Sequence, residues 1–394
     1  MTMTAQAYTI IRKKRRWFPE APVSINDFIL STSSPLDAQL LLHSPQISMY
    51  CADVENKTIV FVETPPGLNV PAAPFYYLAQ YEHATRALTL PFDDFIRLTE
   101  ALPCPDKKFL FLYTVGRAGS TLLTKIFAGD PDTVAVSEPD ILSDFSLLAQ
   151  KYPLQKPHVE KLLLSCFKIF SSSAATAGKQ RILIKPRGYC IEMGEIIHTV
   201  LPDAKGIFLY RNARPVIESF IRAFSITGVL SLLRDILPSR MLLAYLMKHY
   251  RTALLDYFPA LSEYPPEAIF KTGWTGVLCI TWLSIMKAYV RLYRKGIDVR
   301  AVLYEDIIKA PQELVARLFG YCDIPDTCLA AGLKALERDS QEGTRLARSV
   351  AHKKKWQMKE INMEHVRIIL QSQPEISSPD YIVPGTIMHD SAQQ

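Results

Sequence analysis

Apolar residues change their spacing part-way along the chain, near residue 105. Downstream, continuous apolar runs alternate with stretches of helical periodicity. The run at 108–115 (KFLFLYTV) is the continuous apolar run of a strand covered on both faces, and 181–184, 206–210 (GIFLY) and 299–303 read as further strands of the same sheet. Between them, Leu122, Leu123, Ile126 and Phe127 repeat with helical spacing, and Leu314, Val315, Leu318, Phe319 and Cys322 do the same. Asn212 stands where it can cap a helix bearing Val216, Ile217, Phe220, Ile221 and Phe224, with Pro215 tolerated in its first turn. This alternation predicts the α/β class, a parallel sheet flanked by helices.

Upstream the texture is that of a small module. Short β-like runs at 46–51 and 58–63 are separated by turn clusters such as Pro65-Pro66-Gly67, and a helical pattern spans 92–102. Pro103, Cys104 and Pro105 then break the chain. The expected organisation is an N-terminal β-rich module over 1–104 and an α/β domain over 105–356 with a helical insertion at about 225–295. A C-terminal helix and a loose, polar tail follow over 357–394. No internal repeat is visible.

Composition narrows the class without naming it. The 394 residues are 48% hydrophobic and 21% charged, which excludes wholesale disorder, collagen and a disulfide-stapled miniprotein. A net charge of +6 is too mild to imply a nucleic-acid partner, yet it suits a pocket for a small, multiply charged anion. The seven cysteines are scattered, with no Cys-x-x-Cys pair, and read as reduced thiols; no metal-ligand spacing is present. The basic run near the N-terminus lacks a following apolar region, and the oily tract at 226–250 is interrupted by Arg234, Asp235, Pro238, Arg240 and Lys248. A cytoplasmic protein without a membrane partner is expected.

The chemistry concentrates after the first core strand. Gly116-Arg117-Ala118-Gly119-Ser120-Thr121 leads straight into a helix. Glycines let backbone N–H groups approach an oxyanion, the helix start adds a positive dipole end, and Arg117, Ser120 and Thr121 add donors. The loop is not that of an ATPase. In the pattern G-x-x-x-x-G-K-[ST], Thr114 occupies the first glycine position and Ser120 the lysine, so Mg²⁺-bound ATP is disfavoured.

Strand–GRAGSTLL–helix resembles the 5′-phosphosulfate-binding loop of the sulfotransferase family, over roughly residues 107–350. The resemblance implies a P-loop-like fold and 3′-phosphoadenosine 5′-phosphosulfate (PAPS) as co-substrate, without a metal. A short strand at 134–136 leads to Glu138, similar in place to the proposed general base of carbohydrate and tyrosylprotein members. Lys185 matches the lysine that acts on the transferring group. Arg187 stands where cytosolic members have a histidine base, and a guanidinium stays protonated, so the base assignment moves to Glu138. Arg211, at a strand end, and Ser219, eight residues on, resemble the 3′-phosphate motif. The stretch 302–306 (VLYED) is similar to a family strand and helix start. Arg345 and Arg348 would replace the missing Arg-Lys-Gly closing loop.

The resemblance therefore implies catalytic roles for Glu138, Lys185 and Arg117. It assigns donor binding to residues 116–121, Arg211, Ser219, Arg345 and Arg348. A small-molecule acceptor with a hydroxyl or amine is expected. Leu122 stands where many cytosolic members stack a tryptophan on adenine, and Trp274 and Trp282 read as core residues. Two other readings stay open: a non-catalytic nucleotide-binding scaffold and a P-loop kinase.

Overall fold

In the computed structural model, residues 3–16, 21–224, 255, 259–337 and 358–389 are described. The strands are β1 (Thr4–Lys13), β2 (Phe28–Leu30), β3 (Ser34–Asp37), β4 (Ile47–Asp53), β5 (Thr58–Glu63), β6 (Arg86–Pro91), β7 (Lys108–Thr114), β8 (Thr133–Ser137), β9 (Arg181–Lys185), β10 (Lys205–Tyr210) and β11 (Val299–Leu303). The helices up to the end of β9 are α1 (Leu40–His43), α2 (Tyr76–His83), α3 (Phe92–Glu100), α4 (Ser120–Phe127), α5 (Asp140–Lys151) and α6 (Lys156–Thr176). Beyond it lie α7 (Gly194–Val200), α8 (Ala213–Phe224), α9 (Pro266–Arg294, interrupted at Gly273), α10 (Tyr304–Lys309), α11 (Pro311–Tyr321), α12 (Leu329–Leu333) and α13 (Glu360–Gln371).

Strands β7 to β11 form a five-stranded parallel sheet in the order β11-β10-β7-β9-β8, flanked by helices. This is the α/β class that the alternation of strand and helix patterns predicts. Its central strands are buried along their length, as continuous apolar runs require.

The chain divides into two compact units, Met1–Phe111 with Asp130–Lys205, and Leu112–Gly129 with Gly206–Gln394. The first unit contains an antiparallel sheet in the order β2-β1-β6-β5-β4, with β3 also pairing β1. Phe28, Tyr50, Val60, Val62 and Tyr77 fill the core beside it. Two carboxylates of α5 fasten this sheet to the rest of the unit. Asp140 accepts the Val23 N–H at 3.0 Å, and Asp144 accepts the Ala52 N–H at 2.7 Å. Burial pushes the Asp144 carboxyl well above the usual carboxylate range, more than the Ala52 hydrogen bond lowers it.

In the second unit the tail expected to be loose is held. Thr386 bridges Ala301 of β11 in parallel, and Ala301 and Ile387 exchange backbone hydrogen bonds with the tail and the strand at 2.9 Å. The correction has a simple cause. An edge strand has unpaired backbone groups that a passing segment can take up, and Ile376, Val383 and Ile387 of the tail are buried while Ile382 is exposed. Within α9, Gly273–Arg294 is long and apolar enough to cross a membrane, but 78% of its most apolar window is packed inside the protein, as in a core helix.

All seven cysteines are free thiols, six of them buried and Cys104 exposed. The insertion between residues 225 and 254, and Arg345 and Arg348, lie outside the described residues.

Candidate active site

In the second unit, the loop after β7 turns through left-handed backbone at Gly116 (φ +76°), Arg117 (φ +52°) and Gly119 (φ +87°). Both glycines are required twice over. A β-carbon at Gly116 would stand 2.6 Å from the Phe220 ring, and one at Gly119 would stand 2.5 Å from the Tyr304 ring. The Thr114 hydroxyl accepts the Gly116 N–H at 3.2 Å, closing the turn. Gly119 precedes α4 and brings no side chain to cap it, so the first-turn N–H groups, with the buried Ser120 and Thr121 hydroxyls, form a donor set suited to an anion. The Gly119→Ala variant is expected to lose about 2–4 kcal/mol of stability from left-handed strain and overpacking against Tyr304, read as a lower urea midpoint.

The same unit holds Ser219 and Arg211, two of the other expected donor-binding residues. Arg117 Nε donates to Ser219 Oγ at 3.1 Å, so Ser219 is joined to the loop arginine. Arg211 lies over the Tyr304 ring at 4.5 Å and donates from Nε to Glu305 Oε1 at 3.3 Å. The structure thus brings Ser219 to Arg117 and Arg211 to Glu305. Trp282 is buried, and its indole N–H donates to the Arg211 carbonyl at 2.9 Å, which fixes the backbone at that strand end. Tyr304 and Glu305 were not singled out by sequence reasoning as site residues; the VLYED stretch was their signal.

In the first unit, β8 and β9 run parallel in register, with Ser137 opposite Lys185. Their carboxyl ends place three groups together. Lys185 Nζ donates to Glu138 Oε1 at 2.6 Å and to Ser137 Oγ at 3.0 Å, and the Glu138 N–H donates to the Lys185 carbonyl at 2.6 Å. The lysine side chain is only 3% exposed and the glutamate 17%. Glu138 sits at φ +59°, so Arg117 and Glu138 are two of the four non-glycine residues with positive φ among those described. Burial raises the Glu138 pKa, but Lys185 and then Arg187 overcome it, and the carboxyl lies below its ordinary value.

Arg187 has a different task. It forms a two-pronged ion pair with Asp140, from Nε at 2.6 Å and from the terminal nitrogen at 2.9 Å, and lies 4.6 Å from the Tyr77 ring centre. The position that holds a histidine in the cytosolic pattern is here a structural cation.

Among the described residues, no group of three or more His, Cys, Asp or Glu side chains is arranged to hold a metal ion. No protein-family model matches the sequence, and no curated protein matches it. Solved structures similar to this one include a sulfotransferase from Alicyclobacillus acidocaldarius, at 16% identity and a TM-score of 0.34, covering 65% of this chain and 99% of that one. Another is sulfotransferase STF9 from Mycobacterium avium, at 12% identity and a TM-score of 0.35, covering 73% and 82%. Likenesses this loose leave the chemistry to be argued from the residues.

Proposed function

We propose that the protein transfers a sulfuryl group from PAPS to a hydroxyl or amine of a small-molecule acceptor. The observation that carries this is Glu138, held in left-handed backbone and paired at 2.6 Å with the buried Lys185. An acceptor hydroxyl must lose its proton as the new O–S bond forms, and a positioned carboxylate takes it. The old S–O bond to the 5′-phosphate breaks at the same time, and its electron pair leaves with adenosine 3′,5′-bisphosphate. Lys185 has three N–H donors, of which Ser137 and Glu138 engage two. The third serves the oxygen on which charge develops, and as Lys185 shifts towards that charge, Glu138 regains basicity.

The donor set of residues 116–121 fits an anionic phosphosulfate: backbone N–H groups, two hydroxyls and a guanidinium, without a carboxylate in the loop itself. In this reading Arg117 serves the 5′ end, and Arg211 and Ser219 the 3′-phosphate, with Arg211 exchanging Glu305 for the phosphate. Arg345 and Arg348 are proposed to close over the nucleotide.

Adenosine 3′,5′-bisphosphate at 100 times its dissociation constant is expected to add ~2.7 kcal/mol of stability, seen as a higher melting temperature. MgATP at the same concentration is expected to add little. Stabilisation by MgATP alone would assign the loop to a kinase.

A further inference from the structure

We propose that the N-terminal module is part of the transfer site, because the connection between β5 and α2 sets Phe75 against the Lys185 ammonium as a positioning residue. This rests on Lys185 being the cation that acts on the transferring group. The Phe75 ring centre lies 5.9 Å from Lys185 Nζ, within the range of a cation–π contact. The lysine side chain is almost wholly buried, so every group facing its ammonium sets where that charge points.

Three features make the ring a built component. Phe75 packs against the core beside the antiparallel sheet, 6.1 Å from the Tyr77 ring. The segment leading to it contains Pro65, Pro66, Pro71 and Pro74, which restrict its path, and its Val70–Ala72 turn packs against β8, the strand that ends one residue before Glu138. The sheet is then tied down around the dyad by Asp140 to Val23, Asp144 to Ala52, and Arg187 over Tyr77.

The chemistry of the contact also suits the task. From Pro65 to Tyr81 the sequence has no charged residue. A carboxylate at position 75 would compete with an anionic substrate for the ammonium. A ring face attracts the cation and excludes water while leaving the remaining N–H available.

The test combines amine labelling with turnover. Trace acetic anhydride is applied to the whole protein, and labelling of Lys185 is read by mass spectrometry relative to Lys168, which donates to the Thr99 carbonyl in the same unit. Phe75→Leu and the flexible Phe75→Met are each expected to raise that ratio by about 3–30-fold and to lower kcat by a similar factor, with the affinity for adenosine 3′,5′-bisphosphate unchanged. Phe75→Trp restores both values. Equal labelling of Lys185 in wild type and both variants overturns the proposal, and so does raised labelling with unchanged turnover. If the wild-type protein neither transfers label from PAPS nor is stabilised by the bisphosphate, the functional reading fails. The labelling ratio still decides whether Phe75 holds the ammonium.

Discussion

Turnover in Glu138→Gln is expected to fall by about 10²–10⁴-fold, the usual contribution of a positioned base, while adenosine 3′,5′-bisphosphate still binds. Glutamine keeps a carbonyl for Lys185 at nearly the same place, so geometry is retained and only proton acceptance is lost. Retained turnover sinks the assignment of the base, whereas a wild type that binds nucleotide but transfers nothing identifies a scaffold. The pH dependence has a defined sign. Lys185 and Arg187 outweigh burial and hold the Glu138 carboxyl below 4.5, so it is ionised throughout the neutral range. The wild-type kcat/KM is therefore expected to stay level on the acid side until the pH drops below 4.5. The ion pair's contribution to stability follows the same limits: present in full above 4.5 and lost as the pH falls through the lower folded value.

Asp140→Ala is expected to cost about 3–5 kcal/mol, measured as a fall in the urea midpoint at constant slope. The substitution leaves Arg187, whose side chain is 8% exposed, without its two-pronged partner, and it also strands the Val23 N–H. The size of the loss comes mainly from the uncompensated buried charge. Adding Arg187→Met should therefore recover most of it, because an apolar side chain of similar length needs no partner. A loss under 1 kcal/mol, or no recovery in the double variant, would show that the pair does not fasten the N-terminal sheet. The contrast with Glu138 is instructive: of two carboxylates two positions apart, one is proposed to serve chemistry and the other cohesion. Their partners make the difference, a lysine with an N–H to spare against an arginine held at both prongs.

The α/β architecture was legible because its strands are covered on both faces and announce themselves as apolar runs. The loop was legible because a glycine-bearing strand-to-helix turn is local, and helix α4 begins at Ser120 as the spacing implies. Strand β1 escaped notice because the residues it turns inward are Ala5 and Ala7, too small to mark an alternation. The 21-residue helix α6 was also missed, since serines and alanines dilute its apolar face.

What the sequence determined by itself, then, is the strand–helix alternation of the α/β part and the side chains proposed here for the site: Arg117, Glu138, Lys185, Arg211 and Ser219. Only the tertiary structure decided who pairs with whom. It joined Ser219 to Arg117 and Arg211 to Glu305, turned Arg187 to Asp140, and set Phe75 against a lysine 110 residues away. Propensity and periodicity act over a few residues, whereas a charge in a buried setting takes whichever partner the packing of distant segments brings within reach.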